Sequence, residues 1–183
     1  MALTYTPSPD LGKDCPDFSL PGVDGRMYSK TDVIQGRPAV IMFICNHCPY
    51  VKAIEQRLIE LGRDLKSLHV PLIGISSNDA DRYPADSFDA MKTQSHEKGY
   101  TFPYLYDESQ KAARDFGAVC TPDFFVYDAS GKLAHRGRLD DSWKDPAQVT
   151  KRELFTAVQD LVAGRPAPEN QAPSMGCSLK WKV

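Results

Sequence analysis

Apolar residues run without a break from Ala39 to Ile44 (AVIMFI), and then the period changes. An unbroken run of this length suits a strand buried on both faces. From Pro49 to about Leu68, the residues Val51, Ile54, Leu58, Leu61, Leu65 and Leu68 step by three and four. That is the stripe of an amphipathic helix, and Pro49 suits its first turn, where the backbone N–H has no partner to lose. His69–Ser76 predicts a second strand, Pro84–Lys98 a helix stopped by Gly99, and Ser109–Phe116 a short helix stopped by Gly117. DFFVYD, a turn at Ala129-Ser130-Gly131 and KLAHRGR predict an antiparallel hairpin. Thr150 and Glu153 have the spacing of a capping box ahead of Leu154, Phe155, Val158, Leu161 and Val162, and Gly164 closes that helix.

The two ends differ from the middle. Up to about Lys30 the chain carries Pro7, Pro9, Pro16 and Pro21, with Gly22 and Gly25 bracketing Val23-Asp24, which predicts extended chain and a turn. Beyond Gly164, Pro166, Pro168 and Pro173 exclude regular helix or central strand over most of the segment. The strand–helix–strand start implies parallel pairing, and the hairpin extends the same sheet antiparallel. The expectation is one α/β domain over residues 1–183, a mixed sheet flanked by helices, with an N-terminal extension (1–30) and a C-terminal arm (165–183).

Composition narrows the function. A chain of 183 residues buries enough surface to fold without disulfides or structural metal. Its 22 basic and 24 acidic side chains give a net charge of −2 with no basic patch, so neither nucleic acid nor an anionic membrane is expected as a partner. No apolar stretch approaches the ~18 residues of a transmembrane helix. MALTYTPSPDLGKD has neither a basic start nor an apolar core, so a cytoplasmic chain with reduced thiols is expected. Five cysteines are too few, and one too many, for a disulfide scaffold.

Cys45-Asn46-His47-Cys48 falls where the buried strand gives way to the long helix. At a helix N-terminus, unpaired N–H groups and the dipole favour the thiolate, which is the reactive form of cysteine. This placement puts Cys45 on the exposed loop side as nucleophile, and Cys48 in the first turn, partly covered, as resolving thiol. His47 adds a charge that tunes the thiolate. Zinc would want a second Cys or His pair, and the sequence has none, so no metal site is expected.

Cys120-Thr121-Pro122 directly precedes the DFFVYD strand. With the C-x-x-C, this makes the chain resemble the thioredoxin-like superfamily. The resemblance implies a cis bond before Pro122, a substrate groove formed by Thr121 and Pro122, and a Thr121 backbone that accepts the substrate chain. LGKDCPDFSLPGVDG is similar to the opening of redoxins, the branch of peroxiredoxins and thiol-specific antioxidants. FICNHCPYVK, ISSNDADRYPADS, TPDFFVYD, RGRLDDS and GCSLKWK together resemble one family there, the peroxiredoxin-like thioredoxin family carrying C-x-x-C.

Departures separate the sub-functions. If Cys48 takes the peroxidatic position, Ile41 and Cys45 occupy the proline and threonine slots of the peroxide-binding motif P-x-x-x-T-x-x-C. Ile44 and Ala39 replace the tryptophan and buried aspartate of thioredoxins, leaving Glu55 and Asp140 as weak candidates for proton transfer. The expected activity is thiol–disulfide exchange without a bound cofactor. The expected partners are a disulfide-containing protein or small disulfide, and an external thiol reductant. Alternatives are a thiol peroxidase acting on peroxide as an antioxidant, and a metal-binding chaperone of thioredoxin fold. Cys177, in a tail with Leu179 and Trp181 that is expected to dock, and Cys120 are candidate auxiliary or resolving thiols. Cys15 is expected to pack, Tyr50 and Lys52 to line the groove, and His69, His96 and His135 to fill ordinary roles.

Overall fold

The computed structural model describes residues 3–183. Its centre is a five-stranded sheet. β4 (Ala39–Phe43) pairs in parallel with β5 (Leu72–Ser76), and β5 with β6 (Tyr104–Tyr106). On its other side β4 pairs antiparallel with β8 (Asp123–Tyr127), which pairs antiparallel with β9 (Leu133–Gly137). The spatial order is β6-β5-β4-β8-β9, the expected mixed sheet.

The alternation of β4 explains why no polar residue interrupts it. Val40, Met42 and Ile44 face a core built with Leu58, Leu61 and Leu65 of α2 (Pro49–Ser67) and with Leu154 and Val158 of α5 (Glu153–Val162). Ala39, Ile41 and Phe43 face a second core with Ala112, Ala113 and Phe116 of α4 (Lys111–Phe116) and with Phe18 and Val33 from the N-terminal extension. Both faces are dry, so both sets of positions must be apolar.

The extension forms a hairpin of β2 (Ser19–Pro21) and β3 (Met27–Ser29) around the turn closed by the Gly25 N–H to the Gly22 carbonyl, 3.0 Å. It is followed by the single turn α1 (Lys30–Val33). The arm holds a strand that its prolines had argued against. β10 (Met175–Ser178) begins just past Pro173 and is the middle strand of a second sheet, between β1 (Leu3–Tyr5) and β7 (Cys120–Thr121). Leu179 is buried beyond it, and the Arg114 guanidinium lies 4.9 Å over the Trp181 ring, so the tail docks.

Three boundaries differ from the sequence reading. His69 adopts a left-handed φ of 57° that turns the chain after α2, so the second strand starts at Leu72. The helix predicted from Pro84 is a 3₁₀ turn (Pro84–Asp86) followed by α3 (Phe88–Lys98), because the Ser87 hydroxyl caps the Ala90 N–H at 3.3 Å. Thr150 and Glu153 form no capping box. The Thr150 hydroxyl bonds Asp141, and Glu153 takes two hydrogen bonds from Arg138, at 2.5 and 2.9 Å. Among the described residues no helix is long and apolar enough to cross a membrane.

On β9, His135 is buried with no hydrogen-bond partner on either ring nitrogen among the described residues. Burial depresses its pKa to about 4, against a small opposing pull from Glu153. The unfolded chain binds this proton near the ordinary 6.5, so stability should fall as pH drops from about 6.5 to about 4. The loss should approach about 3 kcal/mol, and none of it should remain in His135→Phe. Urea midpoints of the two proteins across that pH range check this; parallel curves would refute it.

Candidate active site

The chain leaves β4 at Phe43 and crosses to α2 through Cys45-Asn46-His47-Cys48. Cys48 is the N-cap residue, with extended φ and ψ, and its carbonyl accepts the Lys52 N–H at 3.0 Å. Its sulfur therefore sits at the end of a 19-residue helix, where unpaired N–H groups favour an anion. Both cysteines are buried, Cys45 at 2% exposure and Cys48 at 0%. The expected exposed position of Cys45 is not observed, because Thr121 and the segment between β5 and α3 cover it.

Thr121 meets both sulfurs. Cys45 Sγ lies 3.4 Å from the Thr121 hydroxyl, and Cys48 Sγ lies 3.1 Å from the Thr121 carbonyl oxygen. The Thr121–Pro122 bond is cis. Cys177 stands opposite Thr121 in the β7–β10 register and hydrogen-bonds Cys48 through side chain and backbone. Thr121 thus has its backbone edge occupied by the chain's own arm, and presents its hydroxyl to Cys45 instead. Ser174 latches the arm by donating to the Pro122 carbonyl at 2.8 Å.

One proton is shared between Cys45 and Cys48. Cys48 is drawn down to about 4, first by the hydrogen bond from Cys45 and then, against its burial, by bonds from Thr121 and Cys177. Cys45 is raised, first by that same bond, then by burial and by the charge of Asp86. The Thr121 carbonyl pulls the other way, since it favours a protonated Cys48. A thiol is a weak donor, so that single contact is outweighed by several bonds into a sulfur at a helix N-terminus, and the resting charge belongs on Cys48. Burial pushes Cys177 up to about 12, with Cys48 adding to the effect, and burial also pushes Cys120 up.

Asp86 was not singled out in the sequence. It is fully buried, and its Oδ1 accepts the backbone N–H of Asn46 at 2.9 Å and of His47 at 3.2 Å. Its Oδ2 accepts Asn78 Nδ2 at 2.8 Å and lies 2.5 Å from His47 Nδ1. The His47 ring stacks on Tyr83 at 5.1 Å, with Nδ1 3.9 Å from Cys45 Sγ. An acid in the first turn of a predicted helix reads in sequence as a solvated residue favoured by the helix dipole, so nothing local reveals this role. The donor atoms of Cys45, His47 and Asp86 lie within 4.8 Å of one another. Four N–H donors already occupy the carboxylate, however, which makes the group a hydrogen-bonded clasp rather than an open ligand set.

Other candidates fall elsewhere. Cys120 is fully buried, its sulfur 3.6 Å from the Pro122 carbonyl. Glu55 accepts from Gln94 and Tyr100, and Asp140 from Arg57, so both are committed away from Cys48. Tyr50 and Pro122 line a groove of about 310 Å³ with Tyr5, Trp143 and Met175. Lys52 is exposed and outside it.

A model of the AhpC/TSA family matches residues 11–136. A thiol:disulfide interchange protein DsbE from Allochromatium vinosum is 30% identical over 163 residues, covering 87% of this chain and 82% of that one. An uncharacterized conserved protein from Geobacillus kaustophilus superposes with a TM-score of 0.95 at 45% identity, over 100% of this chain and 97% of that one. A secreted disulfide oxidoreductase from Mycobacterium tuberculosis, homologous to E. coli DsbE, superposes with a TM-score of 0.58 at 19% identity, over 80% of this chain and 95% of that one. That last likeness speaks to the fold alone.

The arm's seat depends on one glycine. A Cβ on Gly176 would lie 1.9 Å from the Thr121 carbonyl oxygen, a backbone atom with no room to yield. Gly176→Ala should therefore lift β10 off β7, cost about 1–3 kcal/mol, and expose Cys48 and Cys177 to alkylation in native buffer. Mass mapping of the alkylated sites checks this; wild-type labelling and an unchanged melting point would refute it.

Proposed function

The chain belongs to the AhpC/TSA family and is a thiol–disulfide oxidoreductase of thioredoxin-like fold, and from that premise we propose that Cys45 attacks the substrate disulfide and Cys48 resolves it. The observation that carries the assignment is the hydrogen-bonded Cys45–Cys48 pair at the N-terminus of α2, with both sulfurs against Thr121.

Cys48, as resting thiolate, takes the Cys45 proton while Cys45 sulfur attacks the substrate disulfide. A mixed disulfide forms on Cys45, and the first half of the substrate leaves as thiolate. Cys48 then gives its proton to the second departing sulfur and attacks Cys45. The products are the Cys45–Cys48 disulfide, one thiol and one thiolate, so two electrons have passed to the substrate. The Thr121 hydroxyl supports the developing charge on Cys45, and Pro122 shapes the groove. His47 tunes the site from its 3.9 Å separation. No candidate for proton transfer is needed beyond the pair itself.

Substrates are disulfide-containing molecules. An external thiol reductant returning the pair to the dithiol, and a cytoplasmic setting, complete the proposal; the absence of a cysteine framework supports the setting. Peroxide reduction has weaker support. Arg136, a buried arginine on β9, is committed to Asp123 at 2.8 Å and to the Gly117 carbonyl at 2.8 Å. Cys177 serves as the auxiliary thiol, supported by its hydrogen bond to Cys48.

Cys45→Ser should lower disulfide-reductase activity by about a thousandfold or more. Cys48→Ser should accumulate mixed disulfide, and should also speed alkylation of Cys45 at neutral pH, because the bond and the charge of Cys48 that raise its pKa are gone. Full activity in Cys45→Ser would end the assignment, and slowed or unchanged alkylation in Cys48→Ser would place the resting charge on Cys45. For Cys177→Ser, stopped-flow reoxidation should change by about threefold or more; identical traces would remove Cys177 from the reaction.

A further inference from the structure

The Cys-Asn-His-Cys turn does not hold its own shape. Its two central N–H groups point at Asp86 Oδ1, its His47 ring is fixed against Asp86 Oδ2, and its Asn46 side chain donates to the Ala85 carbonyl at 2.9 Å. Every one of these partners comes from the segment between β5 and α3. On its far side, Asn46 Oδ1 accepts from the Tyr104 hydroxyl at 3.0 Å, so the turn is clamped between β6 and that segment. Asp86 is itself held by Asn78, whose Oδ1 accepts the Lys180 N–H at 2.9 Å and so joins the clamp to the C-terminal arm.

We propose that Asp86 is a positioning residue of the exchange reaction, holding the Cys45–Cys48 turn and the His47 imidazole in register and keeping the resting charge off Cys45 through its own buried charge. The inference rests on the dithiol reading given above. A fully buried carboxylate beside Cys45 opposes negative charge on that sulfur. The resting charge is thereby kept on Cys48, and Cys45 stays a thiol until substrate arrives. His47 works in the opposite sense: its Nδ1–H donates to the carboxylate and offsets part of that charge. The titratable groups facing Cys45 are Cys48 from α2, His47 from the turn, Asp86 from the inserted segment, and Tyr100 and Tyr104 from the β6 side. Of these, only Asp86 bonds the turn's backbone.

The two partners predict opposite signs, which a merely structural role would not produce. In Asp86→Asn the charge is removed at constant shape. Cys45 alkylation should move to lower pH and become about tenfold faster at neutral pH. In His47→Phe the stack on Tyr83 is kept and the N–H is lost. Alkylation should move to higher pH. The experiment measures the pH profile of iodoacetamide labelling at Cys45 and the glutathione equilibrium on the full chain, for wild type and both variants. Opposite shifts sustain the inference. Unchanged profiles, or shifts of the same sign, overturn it, and if Asp86→Asn does not fold, the sign of the His47→Phe shift decides. A wild type that forms no Cys45–Cys48 disulfide would instead remove the dithiol reading beneath it.

Discussion

The peptide group of Thr121 is approached from three directions. Its carbonyl faces Cys48 Sγ at 3.1 Å, its side-chain hydroxyl faces Cys45 Sγ at 3.4 Å, and its strand edge pairs with Cys177. Buried sulfur that is to carry charge needs donors in place, because water does not supply them there. Thr121 supplies one to Cys45, and the strand that pairs with it brings Cys177 to Cys48. The arm, the C-x-x-C turn and the hairpin sheet therefore share one residue. Gly176 is the counterpart that lets the strands close to this distance.

Around that contact, buried carboxylates act as joints between loops. Asp86 gathers the active turn, the inserted segment and, through Asn78, the arm. Asp107 does the same for the end of β5 and the start of α4, accepting from Ser77 and from the Ala113 N–H at 2.9 Å each. Asp123 ties the loop before β7 to β9 through Arg136. Each carboxylate meets several donors from segments distant in sequence, which offsets the cost of burying it and fixes the relative placement of those segments.

The central sheet was legible because its signal is local. Ala39–Phe43 is apolar at every position since both faces are covered, and the stripe on α2 follows from a single buried side. The C-x-x-C and the Thr-Pro dipeptide were legible for a related reason: each is a short run whose neighbours announce a strand or helix boundary. The misplaced boundaries at His69, Ser87 and Thr150 arose where the backbone turned or a side chain bonded in a way that periodicity does not announce, as with the left-handed φ of His69 and the hydroxyl cap of Ser87. Thr150 bonding Asp141 in place of Glu153 is the plainest case.

From the sequence alone came the α/β order, the mixed sheet, the site at the head of α2 and the candidate thiols, because periodicity and motif spacing are properties of contiguous residues. Only the tertiary structure decided that Cys45 is covered, that β10 occupies the edge beside Thr121, that Cys177 faces Cys48 and that Asp86 holds the turn. Those facts depend on pairs up to 129 residues apart along the chain, such as Cys48 and Cys177. Short prolines-and-polar segments carry no periodic signal of where they dock; their place is set by which unpaired strand edge and which buried donors remain once the core has formed.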